Sequence, residues 1–182
     1  GYIPVKIIKM AKDNLCHPIA HICNLCITSG IFPKSLKKSI ICPIYKSGNK
    51  DQIANYRPIS PLPALSKILE KVLNSRLTSY LERNHILSSN QFGFRTNKST
   101  EDAVKAIIDD ITINLDKNQK CLGVFLDLAK AFDTVSIPML LAKLESCGVR
   151  GLPLKLFESY LSDRTQSVKI LNYISTEEQV TF

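Results

Sequence analysis

Apolar residues recur at helical spacing through much of this chain and run together or alternate in a few short stretches. Residues 3–12 and 18–28 carry the three-and-four spacing of two helices, the second closed by Ser29-Gly30. Ser39 to Tyr45 is an isoleucine-rich run that reads as a strand, and Pro43 within it argues for an edge or a bend. Lys46 to Asn55, polar and containing Gly48, is a loop. Three prolines then lead into a long helix in which Leu65, Ile68, Leu69, Val72, Leu73, Leu77, Tyr80 and Leu81 form the apolar stripe. Ser88 to Thr100 is a loop. Ser99 or Thr100 caps the next helix, with Glu101 and Asp102 in its first turn, where the helix dipole favours them. Val104, Ile107, Ile108 and Ile111 are expected to be its buried face. Cys121 to Leu126 reads as a buried strand with Asp127 at its exit. Ser136 and Pro138 open a further helix stopped by Gly148, and another begins near Pro153. Thr165 to Leu171 alternates as a half-buried strand, with Gln179 to Phe182 as a hairpin partner. The mixture is α+β with helices predominating, and it contains no internal repeat.

Length and composition narrow the class. The 182 residues suit one large domain or two small ones, and 45% apolar residues allow a sizeable core. No run of about 18 apolar residues is present, so no membrane span or membrane partner is expected. The first residues lack the pattern of a signal peptide, and an intracellular location is expected, with nothing to choose between nucleus and cytoplasm. Six cysteines without a secretory segment argue against a disulfide framework. Cys23 and Cys26 form a C-x-x-C beside His17 and His21, which suggests zinc. However, Ile19, Ile22, Cys23, Cys26 and Ile27 share one helical face, so a core helix is expected and no structural zinc.

Charge is unevenly spread. Residues 1–100 hold 15 Lys and Arg against 4 Asp and Glu, a net +11, whereas residues 101–182 hold 9 against 12, a net −3. Between Lys34 and Arg57 lie six basic residues and one acidic residue. A basic half suits a polyanion and an acidic half can hold a cation, although solvated surface accounts for either. Asp127 carries the same ambiguity. A carboxylate at the mouth of a buried strand is a rigid oxygen ligand of the kind a two-metal nucleotidyl transfer requires, and aspartate is also a common turn residue.

FLDLAKAFDTV, from Phe125, resembles the first palm motif of reverse transcriptases of non-LTR (LINE-like, jockey-type) retrotransposons. FPKSLKKSIICPIYKSGNKDQIANYRPIS resembles their fingers motif. LSKILEKVLNSRL, NQFGFRTNKSTEDAV and SYLSDRTQSVKI follow in the family's order, so the resemblance covers nearly the whole chain.

The resemblance implies a right-hand polymerase: an N-terminal helical segment over 1–33, fingers over 34–115 and a partial palm over 116–182, helix-rich with a small antiparallel sheet. It implies RNA-directed DNA polymerase activity in the intact enzyme, with an RNA template, a DNA primer, deoxynucleoside triphosphates and two Mg²⁺ ions. Asp127 is then the first catalytic aspartate and a metal ligand, with the backbone at Leu128 beside the metal. Lys46 and Arg57 reach the incoming triphosphate. Phe132 lies under the sugar and excludes a 2′-hydroxyl. Gln91, Gly93, Phe94 and Arg95 line the template path. Asp133 is expected to cap a turn before Ser136.

The sequence departs from the family pattern in lacking a Tyr-x-Asp-Asp segment and the Gly-rich segment before it. Asp109-Asp110, its adjacent aspartate pair, precedes the first palm motif and cannot replace them in order. The chain is therefore expected to be a fragment that does not polymerise alone. The alternative is a non-catalytic RNA- or DNA-binding module derived from such an element.

Overall fold

A computed structural model describes residues 4–128 and 131–180. They fall into two compact units, Gly1–Leu77 with Phe132–Phe182, and Thr78–Ala131. Among the described residues are six α-helices and five strands, a mixed α/β arrangement.

The first unit is built around α2 (Lys12–Ser29), the first part of α3 (Ala64–Arg83) and α6 (Leu152–Leu161). Cys23 and Cys26 of α2, Leu69 and Leu73 of α3, Leu156 of α6 and the loop residue Phe32 form its buried core. Phe32 is wholly enclosed, packing edge-on against Tyr160 at 4.9 Å while its N–H donates to Ser159 Oγ at 3.0 Å. The cysteines thus serve as small core residues, and burial pushes both thiols up. Helix α1 (Val5–Met10) precedes α2, which begins earlier than expected and holds Pro18 in its interior. The proline removes one backbone donor, and the helix continues past it. At the C-terminus Gly30 adopts φ +67°, and its N–H donates to Cys26 O at 3.0 Å. A Cβ there would stand 3.2 Å from Leu152 O, so glycine also permits the close approach of α6. Helix α5 (Ile137–Ser146) runs before α6, and Gly148 follows it at φ +90°.

The sheet corrects one expectation: it is mixed, where an antiparallel sheet was expected. Strands β1 (Lys38–Tyr45) and β3 (Thr165–Ile170) pair in parallel, with Lys38 opposite Thr165. The other pairings are antiparallel: β1 with β2 (Tyr56–Ile59), and β3 with β4 (Tyr173–Ile174) and β5 (Glu178–Gln179). Residues 38–41 of β1 face β3, whereas 42–45 face β2. Pro43 therefore sits where β1 has one neighbouring strand, the edge position that its missing N–H demands. It lies opposite Pro58. Two prolines have no N–H to exchange, which makes theirs a non-hydrogen-bonded pair and fixes the register around it.

The second unit contains the end of α3 and α4 (Thr100–Asp116). Ser99 and Asp102 form a reciprocal capping box that starts α4 where the sequence indicated. Two other expectations fail here. Val104, Ile107, Ile108 and Ile111 form an apolar stripe, yet all four are exposed. Cys121 to Leu126 forms no strand, and Leu122, Val124, Phe125 and Leu126 are exposed. Periodicity gives the face of an element, but burial needs a partner, and among the described residues none covers these stretches.

Candidate functional site

Among the nominated residues, Lys46, Arg57 and Phe132 belong to the first unit. Gln91, Gly93, Phe94, Arg95, Asp127 and Leu128 belong to the second.

The β1–β2 hairpin brings Lys46 and Arg57 to one end of a ladder. Arg57 is opposite Ile44, and Tyr45 is opposite Tyr56. Lys46 extends the pairing, its N–H donating to Asn55 O at 2.8 Å. Side chains alternate along the strand, so Lys46 returns to the face of Ile44 and Arg57, while the tyrosines occupy the other. Both basic residues are exposed, and among the described residues no carboxylate pairs with either. A pair of uncommitted cations on a paired backbone can grip phosphate oxygens without first breaking an internal ion pair.

The loop between the strands is closed on itself. Tyr45 OH donates to Gly48 O at 2.6 Å and Tyr56 OH to Lys50 O at 2.9 Å. The rings meet edge to face at 5.7 Å, with Lys50 Nζ 5.6 Å from the Tyr45 centroid. Asn55 Nδ2 donates to Asn49 O at 2.8 Å. Sequence reasoning used Gly48 only to mark the loop and assigned no part in the site to Tyr45, Asn49, Asn55 or Tyr56. The available signal was a Gly- and Asn-bearing loop flanked by two tyrosines.

In the 88–99 loop, Arg95 is committed internally. Its Nε and Nη2 bond the two oxygens of Glu82 at 2.6 and 2.7 Å, and Nη1 donates to Ser88 O at 2.8 Å. This fork holds the Glu82 carboxyl below its ordinary range. The Lys98 ammonium also donates to Ser89 O and lies 4.8 Å from the Phe92 ring centroid. Gln91 Nε2 donates to Gly93 O at 3.2 Å. Phe94 has φ +58° and is 92% exposed. A Cβ added to Gly93 would meet nothing within 4 Å. The chain's own packing therefore does not require glycine there.

Asp127 is exposed, and its Oδ1 accepts the N–H of Leu128 at 2.9 Å. Asp133 and Phe132 lie in the exposed turn that precedes α5. Magnesium takes six hard oxygens in near-octahedral geometry, several of them from water. Asp127 and the Leu128 carbonyl would contribute two such oxygens from adjacent residues. Among the described residues no cluster of three His, Cys, Asp or Glu could hold a metal. Two oxygens fall short of the set that even one such ion takes. No described helix is long and apolar enough to cross a membrane.

The family model described as "Reverse transcriptase (RNA-dependent DNA polymerase)" matches residues 44–181. The chain is 35% identical over 153 residues to a probable RNA-directed DNA polymerase from transposon X-element of Drosophila melanogaster, covering 82% of this chain and 16% of that protein. It is 31% identical over 173 residues to the RNA-directed DNA polymerase from mobile element jockey of the same species, covering 93% and 18%. It is 34% identical over 161 residues to a probable RNA-directed DNA polymerase from transposon BS, also of Drosophila melanogaster, covering 86% and 17%. The chain thus spans less than a fifth of the length of these relatives.

Proposed function

Because this chain belongs to the reverse transcriptase (RNA-dependent DNA polymerase) family, we propose that it is a phosphate-gripping part of a non-LTR retrotransposon polymerase and carries its first catalytic carboxylate. The observation that carries this reading is the hairpin, which mounts Lys46 and Arg57 together on a paired backbone with no competing carboxylate among the described residues. In this reading residues 34–115 belong to the fingers and 116–182 to a partial palm, after an N-terminal helical segment over 1–33. Lys46 and Arg57 bind the triphosphate of an incoming deoxynucleotide. Phe132 lies under its sugar. Gln91, Gly93 and Phe94 follow the template path, while Arg95 holds that loop in shape through Glu82.

In the intact polymerase a primer 3′-hydroxyl attacks the α-phosphate of the nucleotide on an RNA template, releasing pyrophosphate. Magnesium, when bound, supplies stabilisation of the charge that develops on the reacting oxygens. Asp127 and the Leu128 carbonyl are this chain's share of its ligands, and the 182-residue polypeptide does not extend a primer by itself. A primer-extension assay with Mg²⁺ and deoxynucleotides checks that directly, and robust extension would overturn it.

The exposed basic hairpin also fits a second reading, a binding module that has no use for a carboxylate. Fluorescence anisotropy of an RNA–DNA primer-template separates the two. The polymerase reading expects Mg²⁺ to strengthen binding and Asp127→Ala to abolish that increment. A module would bind with steep salt dependence and be indifferent to both changes.

A further inference from the structure

The polar contacts of the 46–55 loop converge on an uncharged residue. Asn55 closes a short 3₁₀ turn, Ile53–Asn55, just before β2. Its carbonyl accepts the Lys46 N–H at 2.8 Å, which fixes the backbone from which Lys46 projects. Its side-chain Nδ2 donates to Asn49 O at 2.8 Å and reaches toward Gln52 Oε1 at 3.5 Å. The same amide lies against Gly48, where an added Cβ would stand 2.7 Å from Nδ2 and 3.0 Å from Cγ. Gly48 also has φ +95°, a conformation that L side chains rarely adopt. Both residue types are therefore dictated by the geometry. Aspartate in place of Asn55 would present an oxygen to the Asn49 carbonyl where a donor is needed.

We infer that Asn55, seated on Gly48, is a positioning residue that sets Lys46 at the height and angle from which, together with Arg57, it grips a triphosphate. The inference rests on the phosphate-binding reading of Lys46 and Arg57 and deepens it by naming what holds the first of them. Asn55 has no charge to offer a phosphate from its side chain. Its amide is engaged by the Asn49 carbonyl within the loop, so its removal acts on the geometry of the loop. Lys46 follows directly on β1, and among the described residues its side chain has no ion pair to steady it, so its aim depends on where its backbone is tied.

The test is a double-mutant cycle on the 182-residue chain, with dTTP as ligand, affinity read by titration calorimetry and folding checked by thermal melting. Lys46→Ala is expected to weaken dTTP binding about tenfold, the size of one charge-assisted phosphate contact. Asn55→Ala is expected to weaken it by most of that factor while the chain stays folded. The double variant should be no weaker than Lys46→Ala alone, because the two changes remove the same contact. If Asn55→Ala fails to fold, Gly48→Ala, which strains one turn but keeps the Asn55 amide, provides the second arm, used where its melt shows a folded chain. It displaces the Asn55 amide without deleting it and should show the same coupling to Lys46. Losses that multiply, or a folded Asn55→Ala variant with full affinity, would overturn the positioning role while leaving Lys46 as a phosphate ligand. Unchanged affinity in Lys46→Ala and Arg57→Ala, or no dTTP binding by the unaltered chain, would overturn the phosphate-binding reading itself, and the inference with it.

Discussion

The β1–β2 hairpin and residues 121–128 each present charge at the end of an apolar run, yet only the hairpin forms a strand ladder. Lys46 and Arg57 follow or sit on strands paired residue by residue, and the connecting loop hydrogen-bonds to itself. Asp127 ends a stretch in which Leu122, Phe125 and Leu126 are about nine-tenths exposed and no ladder forms. The contrast lies in the range of the interactions required. The hairpin is completed by residues close in sequence, so its local chemistry suffices. A buried strand must find partners distant in sequence, and strand composition alone does not supply them.

The sharpest probe of this contrast uses one amino-acid type in two settings. Phe32 is wholly buried and Phe125 is 88% exposed. Phe32→Ala should lower stability by about 3–5 kcal/mol in urea denaturation. Phe125→Ala should change it by less than about 0.5 kcal/mol. A large loss from Phe125→Ala would mean that the 121–128 stretch is packed, and the contrast would fail.

Gly48→Ala comes next. It forces an L side chain into φ +95° against Asn55 and is expected to lower stability by about 1–2 kcal/mol, seen as an earlier urea midpoint. A neutral result would show that the hairpin loop is not held as described. Ser99→Ala removes half of the α4 capping box and should cost about 1 kcal/mol, read as lost helical ellipticity and a lower melting temperature.

The effect of pH is smaller. The hydrogen bonds from Arg95 hold Glu82 below its ordinary value, so its folded pKa lies below the unfolded one. The stabilisation is therefore complete above the unfolded glutamate value and is lost as pH falls through the folded one. Melting temperature should decline on acidification below the glutamate range, and Glu82→Gln should flatten that part of the profile.

Legibility in the sequence followed the same division. The α4 start was readable because Ser99 and Asp102 cap each other across three residues. The core face of α2 was readable at Ile19, Cys23, Cys26 and Ile27, which keep helical spacing and belong to or pack against the observed core, whereas Ile22, expected on the same face, is exposed. Pro43 indicated an edge because a missing N–H is a local fact. The parallel pairing of Lys38 with Thr165 joins residues far apart in the chain, and no pattern within either strand announces it. The exposed faces of Val104 and Ile107 were misread because amphipathicity shows what could be buried, not what covers it. At the candidate site the charged residues were conspicuous as types. Neutral Asn55 became visible only through its contacts, Gly48 was legible as a loop residue but not as the seat of Asn55, and Arg95 proved to be committed to Glu82.

The measurement that tests the contrast most directly is amide hydrogen exchange on the unaltered chain, resolved by residue. The Lys46 amide, bonded to Asn55, should exchange slowly along with those of the β1–β2 ladder, while the amides of 122–126 exchange at rates near those of an unfolded peptide. Equal protection in 122–126 would mean that the Asp127 segment is a paired strand after all, and would contradict the account.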